Sequence, residues 1–490
     1  MVSTSFYQRL ERNMILCMTR YIIIIQGKMK NKYPYILIFT SIFVVLFIIH
    51  NFFAIKPDQY MWDAWVYYKI SNSLFMDGKF SLLTIENDFR GFVYPVYLFI
   101  SNFLNYILNI NTSFYVVSSF TLGILFTIYL YLFRKLFVEK EFNTKNIFIR
   151  SILVVLITVF FFYGLVVWPL TDLYAALISL IAGMLILYSK RKKRFKYILY
   201  FISGVLVYFA YNIRTIYQIE IIIILAFLIY FELKNKKLIG FINSVIFYCS
   251  GVLISSIPQI IINMSKYGTF SIWINNQNLF AQQLNWGLKF TKYSTYIGNP
   301  KSYPYPALCF IDATGLRITE QWEILGYPFT IKSYIKLFFQ YPIEYIKIFI
   351  KHCVNAIFIL FPELYVVNID KNLLLYGLLS VAIVFTVLVL IFLSFKNKKV
   401  TILNFTFWIF MILPSLMILF GAVEERFLVL IYISIYSYIC FFDYSSLKKY
   451  INRKNVILIL VLFIIFSVLA FSIQSRILAT LDEHPLYFIK

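Results

Sequence analysis

Residues 34–70 read PYILIFTSIFVVLFIIHNFFAIKPDQYMWDAWVYYKI and contain the two features that decide the fold. Residues 34–55 form an apolar run that is long enough to cross a bilayer as a helix. The stretch that follows is aromatic and carries one acid, Asp63, just beyond the end of that run. A membrane helix is therefore followed closely by a carboxylate, which makes Asp63 a candidate functional residue.

The composition extends this pattern to the whole chain. Of the 490 residues, 61% are hydrophobic and 14% are charged, whereas a soluble domain has about 25% charged residues. The apolar runs are too long for the strands of an outer-membrane β-barrel and lack their alternation. We therefore predict an all-α, polytopic transmembrane protein with about 11 spanning helices. The predicted spans are 34–55, 113–133, 147–168, 171–188, 196–212, 215–232, 238–262, 372–394, 400–420, 427–443 and 455–474.

Two further apolar segments are predicted to be amphipathic helices along the membrane surface, although either could span, which gives a range of about 11 to 13 spans. Residues 92–110 contain a proline and scattered asparagines, and residues 346–367 are interrupted by charged residues and a proline. A span at 92–110 would invert the loops that follow it. The basic stretch RKLFVEK, residues 134–140, would then lie outside, against the positive-inside rule.

The distribution of charge orients the chain, which has a formal net charge of +23. With the N-terminus inside, most of the 45 Lys and Arg residues fall in inside segments, and most of the 22 acids fall outside. The basic excess is then explained by contact with anionic membrane lipids, and no nucleic-acid partner is needed. We predict a multi-pass protein of a bacterial cytoplasmic (inner) membrane, with its chemistry on the outer face.

This topology divides the chain into consecutive parts. Residues 1–33 are a predicted cytosolic segment, in which Met29 resembles a natural start before a basic, apolar stretch. The remaining predicted parts are a transmembrane module at 34–262 that contains the first loop, 56–112; the large loop, 263–371, with its surface helix; C-terminal transmembrane helices at 372–474; and an outer tail at 475–490.

Three acids are candidates for chemistry. Asp63 could take a proton from an acceptor or bind a divalent metal, although an isolated loop acid is more often simply solvated. Asp58 lies a few residues earlier and is an alternative base. Asp172, in WPLTD at 168–172, follows a very short turn. An acid there either caps the next helix or is retained for function, because a charge at membrane depth is costly.

Three arginines are candidates for binding phosphate, because a guanidinium offers a planar fork of donors. Arg90 precedes the surface segment, and Arg214 and Arg426 lie at outer helix ends. The positive-inside rule does not explain arginines on the outer side. The alternatives are interfacial anchoring, snorkelling, or pairing with Glu220, Glu424 or Glu425.

The order of these features resembles that of the GT-C glycosyltransferases, which include protein O-mannosyltransferases and bacterial aminoarabinose transferases and use sugars carried on polyprenyl phosphate. The resemblance covers residues 34–262 well and 340–445 loosely. It is carried by DAWVYYKISNSLFMDGKFSL (63–82), RGFVYPVYLFI (90–100), WPLTDLYAALISLIAGML (168–185), YNIRTIYQIEIIIILAFLIY (211–230) and GAVEERFLVLIYISIY (421–436). The chain departs from the family where many members have paired acids, since Asp58 and Asp63 are separated and Asp172 is single.

The resemblance implies a mechanism and a set of partners. The donor would be a polyprenyl-phosphate sugar held with membrane lipids, and the acceptor is unidentified. Asp63 would deprotonate the acceptor and give inversion at the sugar carbon. Arg214 and Arg426 would neutralise the leaving phosphate, with Arg90 and Tyr67 also contacting the substrate. Asp172 would orient the acceptor or, together with Asp63, a divalent metal such as Mg²⁺ or Mn²⁺.

Other functions fit the same pattern of residues. A lipid-linked-sugar flippase or transporter would place ionisable groups near the bilayer midplane, whereas here they gather at one rim. A polysaccharide polymerase or ligase would use similar lipid-linked substrates and a large outer loop. The acid in the first loop and the Tyr94–Pro95 segment favour the glycosyltransferase.

Overall fold

A computed structural model shows a mostly helical chain. The predicted segment 1–33 lies outside the described residues, as do residues 484–490 of the predicted tail. The structure describes residues 34–85, 89–108, 113–138, 142–233, 238–275, 279–296, 307–324, 329–359, 365–366, 374–396, 402–421, 423–445, 447 and 452–483.

The first half of the chain forms ten helices and one small hairpin. The helices are α1 Pro34–Phe53, α2 Trp62–Ser73, α3 Val93–Leu108, α4 Ser113–Phe137, α5 Thr144–Phe161, α6 Tyr163–Val167, α7 Asp172–Ser189, α8 Lys196–Ile213, α9 Gln218–Leu233 and α10 Leu238–Tyr267. The hairpin pairs β1 Phe75–Met76 with β2 Lys79–Phe80. Asp77 and Gly78 between them both have positive φ, as a two-residue type I′ turn requires.

The second half combines helices with a small sheet. The elements are α11 Leu279–Lys289, β3 Phe290–Tyr296, β4 Ala307–Ile311, α12 Ala313–Ile324, α13 Ile331–Gln340, α14 Pro342–Ile357, β5 Tyr365–Val366, α15 Leu374–Lys396, α16 Ile402–Met417, α17 Val429–Phe441 and α18 Arg453–Glu483. Strand β3 pairs antiparallel with β4 and parallel with β5. The sequence FTKYSTY of β3 is rich in the β-branched and aromatic residues that favour strands. The all-α prediction did not anticipate this sheet in the large loop.

Within the described residues, nine helices are long and apolar enough to cross a membrane. The prediction of a mostly helical, polytopic protein is confirmed at this level. The two other predicted spans, 400–420 and 427–443, form the shorter helices α16 and α17. Neither predicted surface segment is among the nine, and their helices α3 and α14 have 16 residues each.

Helix α7 is the centre of the bundle, since 94% of its apolar stretch is buried. It packs against α4, α8 and α17, and its apolar side chains belong to the main hydrophobic core. Because α7 begins at Asp172, the most buried of the nine described membrane-length helices holds this acid at one end of the bundle. The last helix, α18, is peripheral, because only 6% of its apolar stretch is buried.

Helices α8 and α10 approach each other through two glycines. A Cβ at Gly204 would lie 2.2 Å from the carbonyl oxygen of Tyr248, and a Cβ at Gly251 would lie 2.2 Å from that of Phe201. Small residues at a helix interface let the backbones touch, which is a common way of packing membrane helices. These glycines set the position of α8, the helix that ends next to Arg214.

Replacing one of these glycines should separate the two helices. We expect Gly251→Leu to lower the free energy of unfolding by about 2 kcal/mol or more, because backbone atoms cannot move aside as a side chain can. Thermal unfolding in detergent measures the effect. Ser250→Leu, at the adjacent and more exposed position, is the matched control, and equal melting temperatures for the two variants would contradict the close contact.

The predicted orientation can be tested with two lysines in exposed turns. Lys79 lies in the hairpin of the first loop, and Lys192 lies in the turn between α7 and α8. In a variant whose five native cysteines are replaced, we expect Lys79→Cys to react with a membrane-impermeant maleimide in intact cells. Lys192→Cys should react only after the membrane is permeabilised. Labelling of both in intact cells, or the reverse pattern, would refute this topology.

Candidate active site

The carboxylate of Asp63 lies at the centre of a cluster of arginines. It is in the first turn of α2 and its side chain is 16% exposed. Its Oδ1 accepts a hydrogen bond from Nη2 of Arg90. Its Oδ2 lies 2.9 Å from Nη1 of Arg426 and 3.6 Å from Nη1 of Arg214. Three guanidiniums from distant parts of the sequence thus surround one carboxylate.

Arg214 connects this cluster to the central helix. Its Nε lies 3.0 Å from Oδ1 of Asp172, and its Nη1 donates to Oγ1 of Thr171 at 3.4 Å. Arg214 follows the end of α8, and Asp172 begins α7. Thr171, the N-cap residue of α7, makes no capping hydrogen bond with its side chain. The carboxylate of Asp172 instead forms an ion pair with Arg214.

Arg426 lies between two acids. Its Nη1 donates to Asp63, and its Nε donates to Oε2 of Glu424. The ring of Phe427 lies beneath two of the guanidiniums, 4.6 Å from Arg214 and 5.3 Å from Arg426. A cation over an aromatic face is attracted by the ring quadrupole. The turn that connects α16 to α17 therefore supplies an arginine, an acid and an aromatic platform.

Arg90 is held by the first loop itself. Its guanidinium lies 5.3 Å from the ring centre of Tyr67, a buried side chain one turn after Asp63 on α2. The hydroxyl of Tyr67 donates to the carbonyl of Ile213 at 3.5 Å. Tyr67 therefore supports Arg90 and the end of α8 rather than standing open to solvent.

A series of hydrogen bonds through two buried amide side chains connects the first loop to α8 and α10. The backbone N–H of Val93 donates to Oδ1 of Asn212 at 2.8 Å, and Nδ2 of Asn212 donates to Oε1 of Gln259 at 3.2 Å. A Cβ at Gly91 would lie 2.2 Å from the carbonyl oxygen of Asn212, so no side chain fits there. These hydrogen bonds fix the segment that carries Arg90 beside α8, the helix that ends next to Arg214.

The pKa values of two acids of the cluster, Asp63 and Glu424, are shifted in opposite directions. Burial opposes the charge on Asp63, but Arg90, Arg426 and Arg214 outweigh it and hold the pKa of this carboxyl well below its ordinary value. Burial raises the pKa of Glu424 above its ordinary value, although Arg426 and Arg214 oppose the rise. Burial lowers the pKa of Arg90, but the charge of Asp63 outweighs it and raises the pKa overall.

The structure thus gathers most of the sequence-predicted site residues at one end of the bundle: Asp63, Asp172, Arg90, Arg214, Arg426 and Tyr67. The alternative base, Asp58, is exposed in a short turn at Pro57–Gln59 and has no ion pair with these arginines. The chemical roles of all these residues remain predictions. The low pKa of Asp63 weighs against its use as a base, because a strongly ionised carboxylate binds protons weakly.

The two acids of the predicted metal site, Asp63 and Asp172, are both paired with Arg214. Among the described residues, no group of three or more His, Cys, Asp or Glu side chains could hold a metal ion. Arg214 contacts both Asp63 and Asp172, so a cation bound between these acids would face a guanidinium. The divalent metal stays a prediction, and no step below depends on it.

The sequence offers three glutamates, Glu220, Glu424 and Glu425, as alternative partners for the outer arginines. Glu424 does pair with Arg426 and so belongs to the cluster. Its neighbour Glu425 points elsewhere and pairs with buried Lys292 of β3. Glu220, a third suggested partner, is fully buried on α9, and the structure records no ion pair for it within the described residues. In the sequence, the adjacent acids Glu424 and Glu425 before Arg426 indicate that an acid pairs with this arginine. The sequence does not predict which of the two faces the cluster.

Comparison with protein families, curated proteins and solved structures gives no match for this chain. The fold and the site therefore define a class only: a polytopic helical protein with nine described membrane-length helices and a cluster of arginines and acids at one end of its bundle.

Neutralising Asp63 should destabilise the protein. We expect Asp63→Asn to lower the free energy of unfolding at pH 7 by about 3 kcal/mol, because three cations lose their common counter-charge. Since the folded pKa is lowered, this stabilisation is present above about pH 4 and is lost as the pH falls further. Thermal melts across pH measure the difference between wild type and variant.

The control for this prediction is Asp58→Asn, an exposed acid of the same loop. It should change the free energy of unfolding by less than about 0.5 kcal/mol. Equal stability of wild type and Asp63→Asn at pH 7 would show that the ion cluster does not hold the first loop in place.

Proposed function

We propose that this protein is a membrane glycosyltransferase that moves a sugar from a polyprenyl-phosphate carrier to an acceptor at the outer face of a bacterial cytoplasmic membrane, in modification of cell-envelope glycans, glycolipids or glycoproteins. The observation that carries the proposal is the convergence of Arg90, Arg214 and Arg426 on one partly exposed centre. Each arginine comes from a different segment, so only the folded chain assembles the group.

The cluster is suited to a phosphate that arrives from the membrane. Guanidiniums bind phosphate oxygens through paired hydrogen bonds. The side chains of Arg90 and Arg426 keep 23% and 12% of their surface exposed, so a ligand can reach them. A lipid carrier with its tail among the apolar helices would place its phosphate at the level of these helix ends.

Buried polar atoms without partners support a ligand in this place. Nε of Arg90, Oδ2 of Asp172 and the hydroxyl of Tyr94 are buried and have no hydrogen-bond partner within the described residues. Such orphaned groups are uncommon in native proteins unless a ligand or water completes them. The ring of Tyr94 packs edge-on against that of Tyr67, which in turn supports Arg90. The cluster thus offers both donors and an acceptor to a bound molecule.

The charges of the cluster fit the departure of a phosphate. The contacts involve three guanidiniums, of Arg90, Arg214 and Arg426, and three carboxylates, of Asp63, Asp172 and Glu424. With all six groups ionised the cluster is formally neutral, so a phosphate would compete with the acids for the arginines. As the bond between sugar and phosphate breaks, charge grows on the phosphate oxygen, and fixed guanidiniums stabilise this charge in the transition state.

Two of the acids, Asp63 and Asp172, then have an organising role. Asp63 holds the three guanidiniums together, and Asp172 fixes the orientation of Arg214. Direct attack by the acceptor on the sugar carbon, opposite the phosphate, would invert the configuration at that carbon. Tyr67 would act by supporting Arg90, since its own hydroxyl is directed at a backbone carbonyl.

The test is transfer by purified protein in liposomes that contain polyprenyl-phosphate sugars labelled in the sugar. We expect wild type to release or transfer at least one sugar of the panel. Arg214→Gln and Arg426→Gln should each lower kcat/KM by at least about 100-fold, which corresponds to the loss of one strong charge-stabilising donor. Lysine at either position should restore only part of the rate, because it lacks the planar fork.

Arg317→Gln is the matched control, since Arg317 is an exposed arginine on α12 of the large loop. It should leave the rate unchanged. Consumption of no donor by folded wild-type protein would contradict the proposal. Movement of the intact lipid-linked sugar across the bilayer would favour the flippase or transporter, and chain extension of a lipid-linked glycan would favour the polymerase or ligase.

A further inference from the structure

Transfer to a hydroxyl or amine requires a group that takes up the acceptor's proton. Asp63 is poorly placed for this, because guanidiniums contact both of its oxygens: Arg90 at Oδ1, and Arg426 and Arg214 at Oδ2. An incoming acceptor would have to displace one of these cations before it could donate a hydrogen bond. The proton acceptor should instead be a nearby carboxylate that has an available oxygen and is open to the acceptor; Asp172 has such an oxygen, but its side chain is only 2% exposed.

Glu424 has such an oxygen. Its Oε2 accepts from Nε of Arg426, whereas the structure records no hydrogen bond at Oε1 within the described residues. The side chain is 15% exposed, as accessible as that of Asp63. Glu424 binds the Nε edge of the same guanidinium that binds Asp63 through Nη1. It therefore lies beside the proposed phosphate-binding group without being enclosed by it.

We propose that Glu424 is the general base of this site and that Asp63 is a positioning residue. This inference rests on the proposed glycosyl transfer and names the residue that would accept the proton. The acceptor oxygen forms its bond to the sugar carbon while the bond from that carbon to the phosphate oxygen breaks. The electron pair leaves with the phosphate, held by the arginines, and the acceptor's proton moves to Oε1 of Glu424.

The surrounding charges favour this assignment. The charged groups that face Glu424 are Arg426 on its own turn, Arg214 at the end of α8, and Asp63 on α2. The raised pKa of Glu424 makes it a better proton acceptor than Asp63, whose pKa is lowered. A phosphate that engages Arg426 would also weaken the pairing between Arg426 and Glu424, and the proton affinity of Glu424 would rise further when the donor binds.

Azide separates proton removal from bond cleavage, because it is already an anion and needs no base. The experiment uses wild-type protein in liposomes with the labelled polyprenyl-phosphate sugars, and water or azide as the acceptor. We expect Glu424→Gln to lower release of the sugar to water by at least about 100-fold, within the usual range for a lost general base. Formation of the glycosyl azide should remain within about threefold of wild type, because the arginines are intact.

The pH dependence gives a second readout. Because Glu424 must be ionised to accept a proton, the wild-type reaction with water should slow as the pH falls through its raised pKa. This acidic limb should disappear from the residual activity of Glu424→Gln. Glu424→Asp, which keeps a shorter carboxylate, should retain the limb and part of the rate.

Each comparison has a distinct outcome. Glu320→Gln, at an exposed acid of α12, is the control and should react like wild type with both acceptors. Loss of the water reaction with retained azide reaction in Asp63→Asn, and not in Glu424→Gln, would overturn the assignment in favour of Asp63. Full activity of Glu424→Gln with water would also overturn it. Consumption of no donor by wild type with either acceptor would overturn the proposed function and this inference together.

Discussion

The ion pairs around Asp63 are the constraint on which the rest of the site depends. One carboxylate contacts guanidiniums that lie 27, 151 and 363 residues away in the chain. Without its charge, three cations would be held close together in a partly buried place, where repulsion is poorly screened. Breaking a buried pair by removing one partner typically costs about 3–5 kcal/mol. The first loop, the end of α8 and the turn before α17 are therefore joined by a single side chain.

Much of this site could be predicted from the sequence, because it is built from charged side chains that a membrane environment penalises. Asp172 and Arg214 lie next to apolar runs, where a charge persists only when it is paired or used. The positive-inside rule does not explain arginines on the predicted outer side. These considerations predict Asp172 and the three arginines as site residues, and the position of Asp63 just beyond the first apolar run predicts Asp63. The contacts themselves depend on helix packing, such as the approach of α8 and α10 at Gly204 and Gly251, which periodicity does not encode.

The sequence was least informative where the backbone is irregular. The apolar stretches 400–420 and 427–443 each predicted a spanning helix, yet the ends that face one another become the short turns Ile418–Phe420 and Glu425–Leu428. Irregular backbone at membrane depth is tolerated where other parts of the protein cover it. Here Gly287 of α11 packs directly against Gly421, and His352 contacts the carbonyl oxygens of Leu419 and Phe290. The large loop, with its unexpected sheet, therefore holds the turn that carries Arg426.

This support also explains the different environments of two adjacent acids. Glu425 is paired with Lys292 of the sheet, so it fastens the turn to the large loop. Glu424 is thereby directed to the other side, where Arg426 separates it from Asp63. Two carboxylates flank one guanidinium, and their pKa values shift in opposite directions. Sites that need both a permanent charge and a proton acceptor commonly obtain them in this way, from like groups in unlike surroundings. In the proposed mechanism, Asp63 keeps its charge and holds the arginines, and Glu424 takes up the acceptor's proton.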